Sequence, residues 1–334
     1  MGNPVRRFWL FLLTGLLLTA AMPPAVASDP LADLKAQFAL PDDRVNFAEA
    51  KLAVDRLIDP STDTAALRRE LDHWERAIRS NMPAGANGRQ TVDALLKTMY
   101  EPGPWNDGRP FSYDLDDPLG KDLFNKRLAT YLATRKGNCV SMPILVAILG
   151  QRLGLTITLS TAPHHVMAMF ADDSQQAWVY IEATGGGFKR YESYVRDTGI
   201  SQTALDNEIY LRPLYPHESV GVIVSTLMEH YGRQDDGDAL MVVADLALAA
   251  NSKDTVAMIW KGNAHFLQLR DRYLRKYQKV AEIPADKVAE FQRLDRENLA
   301  WFEKAKALGW EQKSPEQDTA YLQSIQREKA KREQ

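Results

Sequence analysis

The chain has 334 residues, 45% of them hydrophobic and 25% charged, with a formal net charge of −3. That is enough apolar material for a sizeable core, and the absence of a general basic field argues against nucleic acid as a partner. A single cysteine permits no internal disulfide and no cysteine-built metal site.

The N-terminus reads as an export signal. Arg6 and Arg7 precede an apolar run from Phe8 to about Met22, Pro23 and Pro24 break it, and Ala25-Val26-Ala27 supplies small residues for cleavage. The run is shorter than the roughly 20 apolar residues that span a bilayer. Residues 1–27 are therefore expected to be a signal peptide cleaved after Ala27, leaving a periplasmic or secreted protein with no membrane anchor. In an oxidising compartment cysteines usually come in pairs. A lone one is an intermolecular bridge, an inert buried residue or a reactive thiol.

Residues 28–100 carry a helical pattern. In "NFAEAKLAVDRLIDP" Phe47, Leu52, Val54 and Leu57 lie near helical spacing before Pro60, and Leu67, Leu71, Trp74 and Ile78 repeat the pattern further on. A short helix over Val92 to Met99 leads into "EPGPWNDGRPFSYDLDDPLG", a loop long enough to suggest function. Asp122 to Thr134 reads as one more helix.

The cysteine lies in "RKGNCVSMPIL". Pro143 belongs in the first turn of a helix, and Ile144, Leu145, Ile148, Leu149 and Leu153 continue it to Gly154. The helix is thus expected to begin at Cys139 or Val140, behind a turn at Gly137 and Asn138. Unpaired N–H groups at a helix start favour thiolate, the nucleophilic form, over thiol. The competing reading is a small buried hydrophobe, but Cys139 lies ahead of the apolar face rather than on it.

Three strand-like runs follow, "LTITLSTA", "HVMAMFA" and "AWVYIEAT". A thiolate nucleophile needs a base, and the base an orienting group. Of six histidines, His73, His217, His230 and His265 lie in helical or loop contexts, whereas His164 and His165 open a strand. If the last two runs form a hairpin closed around Asp173-Ser174, residues whose numbers add to 347 face each other. His165 then lies opposite Glu182 and His164 points to the other face. A one-residue slip would exchange the two histidines.

Cysteine at a helix start, histidine opening a strand and an acid ending the next resembles the transglutaminase-like superfamily of papain-type cysteine enzymes. Within it, "GNCVSMPILVAILGQRLGL", "PHHVMAMF" and "YIEATGGG" most resemble bacterial SirB1-related transglutaminase-like proteins with a tetratricopeptide tail. The resemblance implies an α+β fold: a papain/transglutaminase-like core in which the cysteine helix packs on a small antiparallel sheet. A helical N-terminal region and an α-helical, repeat-like C-terminal tail would flank it. It also implies Cys139 as nucleophile, His165 as general base and acid, and Glu182 as third member. The family usually has aspartate at the third position, and often an aromatic where this chain has Met167. The Cys139 backbone N–H is the oxyanion donor expected first, with Asn138 a weaker candidate.

The expected organisation is a core over residues 101–217 and a helical tail over 218–334. "DTVAMIWKGNAHFLQL" has small residues, Gly262 and Ala264, as in the first helix of a tetratricopeptide repeat, and "WFEKAKALGW" would turn Phe302, Ala305 and Leu308 inward as a second. The expected activity is amide-bond cleavage or acyl transfer through a Cys139 thioester on a protein or peptide substrate, with no metal or organic cofactor. The alternative is a non-catalytic scaffold gripping a peptide or partner protein with the cleft and the C-terminal helices.

Overall fold

The computed structural model describes residues 29–312 apart from Leu119, together with Ser314, Glu316, Thr319 and Gln323. The expected signal peptide and its cleavage site lie outside the described residues. Among those described, no helix is long and apolar enough to cross a membrane.

Four helices come first: α1 (Ala32–Ala39), α2 (Phe47–Ile58), α3 (Thr64–Asn81) and α4 (Gly88–Tyr100). Side chains cap three of them in the expected manner: Asn46 accepts from Glu49 N–H, Asp63 from Ala66 N–H, and Asn87 from Gln90 N–H. The buried side of α3 consists of Leu67, Leu71, Trp74 and Ile78, the four residues its periodicity singles out. Helix α2 departs from its pattern, because Lys51 and Asp55 are buried with Phe47, Leu52 and Val54.

The long loop carries β1 (Ser112–Tyr113), which pairs in parallel with β2 (Lys136–Gly137). The single helix expected over Asp122 to Thr134 is instead a 3₁₀ turn at Leu123–Lys126 followed by α5 (Leu128–Thr134). Asp55 explains the break. Its carboxylate takes both the Lys51 ammonium (2.6 Å) and the Leu128 N–H (2.7 Å), so a new helix start is fixed at Leu128 by a side chain of α2.

Helix α6 (Ser141–Arg152) then leads into an antiparallel sheet of order β3-β4-β5-β6: Ile157–Ala162, His165–Asp172, Ala177–Glu182 and Gly187–Phe188. Both faces of this sheet are covered. Leu159, Ala168, Phe170 and Ile181 join the main core with Ile144, Leu145 and Ile148 of α6. On the other face, Ala162 and Met167 pack with residues of α7 (Tyr191–Thr198) and α8 (Gln202–Asp206). Backbone bonds from Leu211 to Thr161 and from Leu214 to Leu159 close the outer edge of β3.

The β4–β5 register differs from the expected one by two residues. Partners add to 349, as in Ala168 with Ile181 and Asp172 with Ala177. The turn is therefore Asp173 to Gln176, with Gln176 at φ +51°, rather than a pair centred on Asp173-Ser174. A shift of two leaves every side chain on its predicted face, because strand side chains alternate with period two.

The C-terminal region is α9 (Pro216–Arg233), α10 (Gly237–Ala250), α11 (Thr255–Leu269) and α12 (Val288–Ala307), each packed on the one before. A Cβ on Gly262 would lie 2.8 Å from the Phe302 ring, so the small residue permits close approach of α11 and α12. Core residues Leu34, Leu52, Leu149, Val220 and Ala264 belong to one continuous cluster, which runs through the boundaries expected near residues 100 and 217.

Candidate active site

Cys139 sits in a turn held by its neighbours. A Cβ on Gly137 would meet the Tyr131 ring at 2.5 Å and the Met142 side chain at 2.6 Å, so only glycine fits there without displacement. Asn138, buried, accepts from the Val140 and Ser141 N–H groups at 3.0 and 3.1 Å, while its own N–H donates to Ser141 Oγ. Helix α6 begins at Ser141, two residues after the cysteine. Asn138 thus supplies the side-chain acceptor for the N–H groups leading into α6, and Cys139 lies in the turn that Asn138 ties down.

This arrangement redefines Asn138. Its side-chain N–H donates to the Asn125 carbonyl at 3.1 Å and its oxygen is engaged by the helix start, so it anchors the turn rather than facing a reacting group. Among the described residues no acceptor takes the Cys139 backbone N–H. An N–H without an internal acceptor is what oxyanion stabilisation requires.

His165 opens β4 and Glu182 ends β5. Continuing the observed register places Glu182 beside Met167 and leaves His165 as its diagonal neighbour on the same face. Diagonal Cβ atoms are separated by about 7 Å rather than the roughly 5 Å of a direct pair. Glutamate, one methylene longer than aspartate, spans that gap: His165 Nε2 lies 3.0 Å from Glu182 Oε2. With Nε2 engaged by the acid, Nδ1 is the nitrogen left for Cys139.

The charges agree with this geometry. Burial opposes protonation of His165, but its hydrogen bond with Cys139 and its pairing with Glu182 outweigh burial and raise its pKa to about 9. Burial would likewise raise Glu182, yet His165, Thr184 and Tyr194 hold its pKa down at about 2. The side chains are 19% and 16% exposed, so solvent screens the pair little.

Two of the carboxylate's partners are not foreseen from sequence. Thr184 Oγ1 donates to Glu182 Oε1 at 2.6 Å, and the Tyr194 hydroxyl donates to Oε2 at 2.9 Å. A hydroxyl two residues after the acid is a readable local signal. Tyr194 is brought by α7 from the far face and leaves none. His164 is not a strand residue at all: it occupies the β3–β4 turn at φ +57° with its side chain exposed. Its carbonyl lies 3.8 Å from Cys139 Sγ.

A family model for the transglutaminase-like superfamily matches residues 65–220. The match spans Cys139, His165 and Glu182 and ends in α9, so α10 to α12 lie outside it. Comparison with curated proteins and with solved structures finds no match.

The remaining histidines stay outside the site. His217 bridges the Leu40 carbonyl and Asp42, His73 packs edge-on to Trp74, and burial lowers the pKa of His230 and His265. No group of three or more His, Cys, Asp and Glu side chains arranged to hold a metal occurs among the described residues. A surface groove of about 230 Å³, lined by Asp33, Glu49, Arg56 and Arg68, belongs to the N-terminal helices and contains none of the three site residues.

Proposed function

We propose that this protein is an exported cysteine-dependent enzyme acting on amide bonds of a protein or peptide, with Cys139 as nucleophile, His165 as proton carrier and Glu182 as its anchor. The observation that carries the reading is the His165–Glu182 pair, 3.0 Å apart, with Cys139 among the neighbours that raise the His165 pKa. A transglutaminase-like match covering the same residues supports it.

In the proposed reaction the Cys139 thiolate adds to the substrate carbonyl carbon, and the oxyanion that forms accepts the Cys139 N–H. Collapse breaks the C–N bond. His165, protonated, delivers its proton to the departing amine and leaves a thioester on Cys139. Water or a second amine then attacks, His165 takes its proton, and the acyl group departs as acid or new amide. Glu182 stays ionised throughout and stabilises the imidazolium. The scheme uses no metal or organic cofactor.

The test is acylation by p-nitrophenyl acetate followed by mass spectrometry. One acetyl group on Cys139, lost in Cys139→Ala and strongly reduced in His165→Ala, supports the reading. Labelling that is unchanged by His165→Ala overturns it.

A second reading, a binding scaffold without catalysis, draws on the exposed apolar residues Val256, Phe266 and Leu299 of α11 and α12. Under it the tetratricopeptide-like helices α9 to α12 grip a partner protein, and Cys139→Ala leaves binding intact.

A further inference from the structure

Each oxygen of the Glu182 carboxylate carries one side-chain hydroxyl. Thr184 sits on Oε1 and Tyr194 on Oε2, where it shares the oxygen with His165. Tyr194 has no exposed surface, and its ring lies 6.0 Å from the His165 ring, tilted by 34°. It therefore lies against both the acid and the base.

The cluster that packs around Tyr194 also receives the end of the C-terminal helices. Tyr194 belongs to the small apolar cluster of Ala162, Met167, Ile200, Ala204, Ile209 and Leu211, against which Leu308 packs just past α12. Ser201 Oγ donates to the Gly309 carbonyl at 3.2 Å, and Asn207 donates to the Leu308 carbonyl at 3.3 Å. Gly309 has φ +99°, and a Cβ there would lie 2.4 Å from the Ala204 nitrogen. Only glycine allows the end of α12 to rest on α8.

We propose that Tyr194 is a positioning residue of the Cys139–His165–Glu182 set, fixed on Glu182 by the docking of the α12 end against α8. The inference rests on the enzymatic reading of that site. Two donors on one oxygen hold the carboxylate in a single orientation, aimed at His165 Nε2. Without the Tyr194 hydroxyl, Thr184 still holds Oε1 but Oε2 keeps only His165, so the carboxylate swings about its Thr184 anchor and His165 loses its partner for part of the time. The C-terminal helices thus complete the site without donating a group to the chemistry.

The charged and titratable groups around the pair come from every neighbouring element. Cys139 faces His165 from the α6 turn, and Tyr180 of β5 lies 5.5 Å from the Tyr194 ring. Lys189 stands 4.6 Å over that ring and pairs with Asp197, while Tyr100 of α4 senses the Glu182 charge. None of these replaces the Tyr194 hydrogen bond.

The test measures the rate of Cys139 alkylation by iodoacetamide and the His165 titration by imidazole NMR, on the full chain. Tyr194→Phe keeps the packed ring and removes one hydrogen bond to a charged group. The alkylation rate at pH 7 should fall about tenfold, and His165 should titrate lower, back towards its ordinary range. Gly309→Ala, remote from the site, should reproduce both changes. The inference is overturned if Tyr194→Phe leaves the rate unchanged, or if His165 then titrates at or above its parent value. His165→Ala in parallel separates the two readings. If it leaves alkylation unaltered, the enzymatic reading fails and this inference with it. If it abolishes rapid alkylation while Tyr194→Phe does nothing, only the inference fails.

Discussion

Replacing Glu182 with glutamine should change how stability depends on pH, and the structure fixes both sign and size. His165 rises from an ordinary value of 6.5 to about 9. A raised histidine stabilises the fold fully below pH 6.5, and that contribution is lost as pH climbs through 9. Glu182 falls from 4.5 to about 2, so its contribution is full above pH 4.5 and is lost as pH falls through 2. Both are present between pH 4.5 and 6.5. Each shift corresponds to roughly 3 kcal/mol. They are two views of one ion pair and must not be added, and part of the histidine's shift comes from Cys139. Glutamine carries no charge and turns its NH₂ towards at least one donor, so at pH 5.5 Glu182→Gln should lose about 2–3 kcal/mol. Urea unfolding from pH 5 to 10 measures this. The gap between parent and variant should be widest near pH 5.5 and shrink by pH 10. A gap that is constant across that range, or below about 0.5 kcal/mol at pH 5.5, would refute the pairing.

Asn138→Ala removes the side chain that caps α6 and holds the Asn125 carbonyl, and should lower stability by about 1–2 kcal/mol in thermal or urea unfolding. Lys51→Met leaves the Asp55 carboxylate buried without its cation and should cost about 3–5 kcal/mol by the same measurement. His164→Gly relieves a positive φ, so stability should hold or rise by up to about 1 kcal/mol. Alkylation of Cys139 should be the same in the His164→Gly variant as in the parent, since glycine keeps the backbone carbonyl that approaches the sulfur.

What could be read from the sequence was what depends on local periodicity. The buried face of α3, the first-turn Pro143 and the three strands follow from spacing alone. So does the shared face of His165 and Glu182, because a register error of two leaves alternation intact. The direct pairing differs from the expected one because the turn contains four residues, and nothing in "DDSQQ" dictates which pair it closes on. The break before α5 and the buried state of Lys51 and Asp55 are long-range: one carboxylate on α2 caps a helix 73 residues later. Tyr194 stayed hidden for the same reason, since its role appears only when α7 folds over the sheet.

The most direct test of the central claim is the rate of Cys139 alkylation by iodoacetamide, followed from pH 5 to 9 in the parent and in His165→Ala. The expected result is a fall of about tenfold or more at pH 6 when the imidazole is removed, because the protonated His165 that activates Cys139 is then missing. Two superimposable profiles would contradict it and leave Cys139 a structural residue.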